Sequence, residues 1–214
     1  MSIISLVNEK GGVAKSTTAV HLAYWLAVQQ GKKTVLIDAD KQQLSSTWLS
    51  KLETEIPFIS LAEPDELVEV IPKVADEFDF VIVDGPGKAD EETRLILIRS
   101  DISIVPVQPT GADLHATGRT LRLISQARSI CGDRPIAALF VSRAIKGTRL
   151  KEEAWGTLSQ IEEAVLLKTM IHQRQAIADT YGQAATVWTL PGKSAKEAID
   201  EYDALFTEIM GLVR

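Results

Sequence analysis

The stretch Ile3-Ile4-Ser5-Leu6-Val7-Asn8-Glu9-Lys10-Gly11-Gly12-Val13-Ala14-Lys15-Ser16-Thr17 constrains this chain more than any other. An apolar run passes through a glycine-bearing turn into Lys-Ser-Thr and then a helix-compatible segment, which is the layout of a phosphate-binding loop. In such a loop successive backbone N–H groups and the N-terminus of the following helix converge on an anion, and glycine lets the backbone come close. Gly11, Gly12, Val13, Ala14, Lys15, Ser16 and Thr17 are therefore the candidate nucleotide-binding set. Lys15 would meet the β- and γ-phosphates, and the Ser16 hydroxyl would ligate Mg²⁺. Two residues depart from the common pattern. Lys10 stands before the glycines, and Ala14 replaces the last glycine, which is tolerable only where the position does not demand positive φ.

Downstream, apolar runs alternate with helix-like segments. Ile3–Val7, Thr34–Ile37, Phe80–Val83, Ile102–Val107 and Ile136–Val141 lack polar alternation, as strands covered on both faces do. Phe58–Leu61 and Val165–Leu167 read as weaker strands. Helices are expected over Thr17–Gln30, around Trp48, and over Asp65–Ala75, Glu91–Arg99, Asp113–Ser129, Leu150–Ile161, Gln173–Tyr181 and Ser194–Leu212, with Pro72 counting against the regularity of the third. The pattern predicts an α/β fold, a mostly parallel twisted sheet of about six to eight strands with helices on both faces. No repeat, low-complexity tract or linker interrupts residues 1–214, so one domain is expected.

In such sheets ligands sit outside the carboxyl ends of the strands. Asp84 closes the apolar run Phe80–Val83 and is the best candidate for holding Mg²⁺, through water. Asp38 ends the neighbouring run and could orient or deprotonate an attacking water, so Ser16, Asp38 and Asp84 form the candidate metal set. Asp40 could hold the following segment in place. Lys10 could supply charge to a transferring phosphoryl group from a partner subunit, as arginine fingers do; the plainer reading is a solvated lysine.

Composition excludes several classes. The lone cysteine, Cys131, makes no internal disulfide and supplies no iron–sulfur ligand set, which points to a reducing, cytoplasmic setting. No apolar run is long enough to span a bilayer, and the first strand begins too early to leave room for a signal peptide. The net charge of −6 argues against a uniformly nucleic-acid-coating protein, but the charge is uneven. From Gly111 to Lys151 eight bases stand against Asp113 and Asp133, so this window carries +6 and the remainder −12. Within it Arg143, Lys146, Arg149 and Lys151 form a candidate DNA-contacting patch of the salt-sensitive, sequence-independent kind. Lys196–Arg214 is amphipathic but acidic, with Glu197, Asp200, Glu201, Asp203 and Glu208, and reads as a helix packed on the domain rather than on anionic lipid. His21, His115 and His172 lack ligand spacing, and the tryptophans read as core.

Lys10-Gly11-Gly12-Val13-Ala14-Lys15-Ser16-Thr17 resembles the deviant Walker A box of the ParA/MinD family of ATPases. Asp38-Ala39-Asp40 is similar to that family's switch I, and Val81-Ile82-Val83-Asp84-Gly85-Pro86-Gly87 to its Walker B and switch II. Pro106-Val107-Gln108-Pro109 and Ile171-His172-Gln173-Arg174-Gln175 extend the likeness over nearly the whole chain, nearest to the small ParF-like ParA proteins. The resemblance implies a P-loop fold and a Mg²⁺-dependent ATPase that forms an ATP sandwich homodimer in which Lys10 reaches the other subunit's nucleotide. It also implies Pro106, Val107 and Pro109 beside the adenine, non-specific binding to nucleoid DNA, and hydrolysis stimulated by a ParB-like or McdB-like adaptor. Relatives distribute plasmids, chromosomal origins or carboxysomes. The alternatives are a MinD-like membrane-associated ATPase and a small-molecule kinase-like enzyme. Ala14, Lys41 (commonly proline) and Gly111 depart from the family pattern.

Overall fold

The computed structural model describes residues 1–61, 63–88 and 91–213. Seven strands form one sheet, all parallel: β1 (Ser2–Leu6), β2 (Thr34–Asp38), β3 (Phe58–Ser60), β4 (Phe80–Asp84), β5 (Ile102–Val107), β6 (Ile136–Val141) and β7 (Val165–Leu166), in the order β3-β2-β4-β1-β5-β6-β7. β1 is flanked by β4 and β5. The chain leaves it toward β2 and β3, returns to β4, and then crosses to β5, so its carboxyl end opens where the strand order reverses.

The missing polar alternation has a direct cause: both faces of the sheet are covered. Ile4, Leu6, Leu36, Ile82, Ile104 and Phe140 face a core closed by α1 (Lys15–Tyr24), α2 (Leu44–Leu49) and α8 (Lys193–Met210). Ile3, Val35, Ile37, Val81, Val83 and Val105 face the opposite core, under α3 (Pro64–Ala75), α4 (Glu91–Arg99), α5 (Gly111–Cys131) and α6 (Arg149–Leu158). α7 (Gln175–Gly182) precedes a short 3₁₀ turn, Val187–Thr189, and packs on α8. Pro72 lies inside α3 without ending it.

Two local features escaped the sequence. α1 continues into a π-helical segment, Trp25–Gln29, before Gly31 turns the chain at φ 63°. Inside the first core His21, Trp48, Trp188, Tyr202 and Phe206 form an aromatic cluster, with the His21 ring stacked on Tyr202 at 4.7 Å and 9°. His21 Nε2 accepts from Val187 N at 3.2 Å, so Nδ1 carries the proton and donates to Thr17 O at 2.7 Å. Burial holds this ring neutral, its pKa lowered from 6.5 to about 4 despite the Thr17 carbonyl.

No helix among the described residues is long and apolar enough to cross a membrane. The apolar stripe of α8 (Ala198, Tyr202, Leu205, Phe206, Ile209) is buried in the first core, as its spacing predicted. Arg214, counted with that helix's charges, lies outside the described residues.

Candidate nucleotide-binding site

β1 ends at Leu6 and the loop that follows climbs over the sheet to α1. Gly12 turns at φ 78°, and Ala14, the N-cap of α1, lies in the left-handed region at φ 76°, ψ 28°. The condition set for Ala14 therefore fails. The position does demand positive φ, at a cost of about 1–2 kcal/mol to an L-residue with a Cβ. Strain of this kind persists where neighbours over-determine the backbone. Here the Ala14 carbonyl receives Thr18 N and Thr18 Oγ1, Ser142 Oγ donates to Val13 O at 3.0 Å, and Gln108 Nε2 and Arg143 Nη1 donate to Gly12 O at 2.7 and 3.0 Å.

Lys15 is buried beneath the loop, and its ammonium donates to the carbonyl of Lys10 at 3.3 Å. Burial lowers its pKa, while Asp84 and Asp40 pull the other way by favouring the ammonium. From β4, Gly85 crosses so close to β1 that a Cβ there would stand 2.8 Å from Leu6 O, and Gly85 N bonds that same oxygen. This tight crossing brings the Gly87 backbone alongside Gly11 and the Lys15 ammonium.

Asp38 and Asp84 are register partners on β2 and β4, and both are buried. Asp38 Oδ2 accepts Ser46 N at 2.8 Å and Oδ1 accepts Asp40 N at 3.2 Å, which satisfies an orphan N–H at the start of α2. Asp38 thus shares the segment-holding part foreseen for Asp40. Asp40 makes only a local turn, accepting Gln42 N at 3.0 Å, and lines the cleft. Neither Asp84 oxygen has a hydrogen-bond partner. Burial pushes its pKa up to about 7 and Asp38's charge adds to this, while the nearby Ser16 and Ser45 hydroxyls and Lys15 oppose it. Ser16, Asp38 and Asp84 are an all-oxygen set in which both Asp84 oxygens are buried without a partner, which suits a hard divalent cation such as Mg²⁺.

Lys10, by contrast, is folded back on its own subunit: Nζ lies 2.6 Å from Asp113 Oδ2 on α5. Lys41 points away from the loop to Glu92, 3.8 Å distant.

From the phosphate loop a cleft of about 510 Å³ runs between α1 and the loops after β6 and β7. Gly11, Gly12, Ala14, Lys15, Ser16 and Thr17 line one end; Val13 is buried below it. The far walls are Ser142, Arg143, Ile171 to Gln175, and aromatic side chains from α2, α7 and α8: Trp48, Tyr181 and Tyr202. Pro106, Val107 and Pro109, expected at the base, are not among these residues. Pro106 and Val107 are the last two residues of β5, paired with Phe140 and Val141, and the Pro106 carbonyl accepts Asn8 Nδ2 at 2.9 Å.

The wall opposite the loop is held by carboxylates of α8. Glu201 accepts His172 N at 2.9 Å and the His172 ring at 2.9 Å, Arg174 bonds both Glu197 and Glu201, and Glu208 accepts Lys168 N and Thr169 N at 2.7 and 2.9 Å. His172 Nε2 and Arg174 Nε remain buried without partners at the cleft. The family likeness of Ile171–Gln175 was the only signal in the sequence for this wall.

The basic patch also divides. Arg143, at φ 51° and exposed, donates from its guanidinium to Gly12 O, which ties it to the phosphate loop. Lys146 pairs with Glu197 at 3.0 Å. Arg149 and Lys151, in the first turn of α6, have no ion pair among the described residues.

Residues 1–57 match a family model described as an AAA domain. Over 212 residues the chain is 25% identical to maintenance of carboxysome distribution protein A of Halothiobacillus neapolitanus, covering 97% of this chain and 95% of that one. It is likewise 25% identical over 202 residues to protein ParA of Rhizobium radiobacter, covering 92% and 90%. The fold is similar to that of the septum site-determining protein MinD of Pyrococcus horikoshii, solved with Mg-ADP, at a TM-score of 0.75 and 19% identity over 97% of this chain and 95% of that one. The strand order, the lysine-flanked phosphate loop and the paired strand-end aspartates stand beside these likenesses, which make the chain similar in sequence to ParA-type ATPases and in fold to MinD.

Proposed function

We propose that residues 1–214 act as one Mg²⁺-dependent ATPase domain that dimerises on ATP, binds nucleoid DNA without sequence preference, and partitions or positions a cargo, with an adaptor protein stimulating hydrolysis. The observation that carries the reading is the convergence of Lys15 and Ser16, at the N-terminus of α1, on Asp38 and Asp84 at the ends of β2 and β4. Similarity to a carboxysome-distribution protein and to a ParA supports the cargo-positioning part.

The triphosphate lies along Gly11–Ser16, where backbone N–H groups and the start of α1 face it. Lys15 exchanges its contact with the Lys10 carbonyl for the β- and γ-phosphates. Ser16 and Asp84 would hold Mg²⁺, which when bound would neutralise charge on the phosphate oxygens. Asp38 orients a water against the γ-phosphate, the water's oxygen forming the new P–O bond as the bond to the ADP oxygen breaks. Toward the base, His172 Nε2 and Arg174 Nε, buried without partners, offer polar contacts. Lys10 of the facing subunit adds positive charge to the developing transition state. The buried apolar stripe of α8 disfavours the membrane-surface alternative.

The test is retention on DNA-coated beads with ATP and Mg²⁺, across salt. ATP-dependent retention is expected to fall steeply from low to moderate salt and to vanish in Lys15→Ala with loss of ATP binding. Salt-insensitive retention, or a substrate-dependent phosphorylated product without DNA binding, would overturn the reading.

A further inference from the structure

Resting on the dimer reading above, we propose that Asp113 is a positioning residue: it tethers Lys10 in cis, and nucleotide-driven dimerisation has to win the lysine away from it. In the monomer Lys10 Nζ sits 2.6 Å from Asp113 Oδ2, which also receives Thr110 Oγ1. The carboxylate is wholly buried, and its other oxygen, Oδ1, has no hydrogen-bond partner. The lysine side chain, by contrast, is 39% exposed. The pair is therefore asymmetric. The cation lies at the surface and can leave; the anion cannot follow it into solvent, and on losing the cation keeps only the Thr110 hydroxyl.

The segment around Lys10 is fastened to the same helix. Glu9 N donates to Thr120 Oγ1 at 3.4 Å, and the Glu9 carboxylate pairs with Arg119 at 2.5 Å. Lys10 N is held by Asn8 Oδ1 at 3.0 Å. The main chain thus stays in place while the Lys10 side chain exchanges partners. Within an ATP sandwich the phosphates across the interface would offer it an acceptor of higher charge. The cost of vacating the buried carboxylate then acts as a threshold that keeps monomers apart until a second loaded subunit presents phosphate.

Asp113→Asn keeps the shape and removes the charge. With Mg²⁺ and a non-hydrolysable ATP analogue, its sedimentation-measured dimerisation constant is expected to tighten on the order of tenfold, and adaptor-free ATP turnover to rise with it. Thr110→Val acts with the opposite sign, because it leaves the carboxylate more dependent on Lys10: its dimer should be weaker than that of the unmodified chain. Should Asp113→Asn not fold, Thr110→Val carries the test alone. Placing either change in a Lys10→Ala background should abolish its effect, which separates release of the tether from a general loosening of α5. If the unmodified chain does not dimerise with the analogue at all, the dimer reading itself fails. If it dimerises through Lys10 but Asp113→Asn is unchanged or weaker, or Thr110→Val is tighter, the tether is wrong and the dimer reading stands.

Discussion

The Asp38 carboxylate accepts a 2.8 Å hydrogen bond from the backbone N–H of Ser46, so the residue assigned to the attacking water also holds the start of α2 in place. Asp38→Ala leaves this buried N–H unpartnered and is expected to lower the unfolding free energy by about 2 kcal/mol while slowing ATP turnover and sparing ATP binding. Asp38→Asn, which retains one carbonyl acceptor, should recover part of the stability but not the turnover. Urea unfolding and a phosphate-release assay on the same preparations decide this. An Ala variant as stable as the unmodified chain would show that α2 does not depend on the carboxylate.

Ala14 sits at φ 76° and makes no side-chain cap for α1. Replacing it with glycine removes the left-handed penalty but adds freedom to the unfolded chain. Since the first effect is the larger at positive φ, Ala14→Gly should stabilise the protein by about 0.5–1 kcal/mol. Thermal unfolding without nucleotide reads this, and a lower midpoint for the glycine variant contradicts it.

His21 and Asp84 give opposite pH dependences in the metal-free, nucleotide-free protein. Burial lowers the His21 pKa from 6.5 to about 4, so the unfolded chain takes up this proton first, and stability present above pH 6.5 is lost as the pH falls toward 4. Burial, with Asp38 adding to it, raises Asp84 from 3.8 to about 7, so the folded chain holds that proton first and gains stability as the pH falls from 7 toward 3.8. The His21 shift corresponds to about 3 kcal/mol and the Asp84 shift to about 4 kcal/mol, so the two largely offset each other. Asp84→Asn should therefore expose a steep loss of stability between pH 6.5 and 4 that the unmodified chain lacks. Urea titrations at stepped pH measure it; equal slopes for the two proteins would sink the assignment.

The fold was legible because its evidence is local. Five unalternating apolar runs cannot be half-exposed strands, and all five became interior strands of the parallel sheet. The phosphate end of the site was legible for the same reason, since Lys10–Thr17 and Asp84 each sit where one strand ends. What escaped depends on residues far apart in the chain. Nothing near Lys10 announces Asp113, and a charge count cannot see that a left-handed turn at Arg143 swings its guanidinium onto Gly12. The acids of α8 were read as a face that lipid would repel. Glu201 and Glu208 instead use their carboxylates on backbone N–H groups of residues 168–172, a partnership that residue periodicity does not encode. Pro106 and Val107 close strand β5 and lie outside the residues that line the cleft, so their place beside a base rests on the family likeness alone.

The cleft joins Gly11 at one end of the chain to Tyr202 near the other. During synthesis the phosphate loop and both strand-end aspartates leave the ribosome well before α8, yet the side chains of Arg174 and His172 lack their carboxylate partners until Glu197 and Glu201 emerge. A nascent chain can therefore make the loop early but not the wall that faces it. Nucleotide would then reward only the finished polypeptide, so that a stalled or shortened product stays unloaded and, lacking ligand, poorly protected from proteolysis.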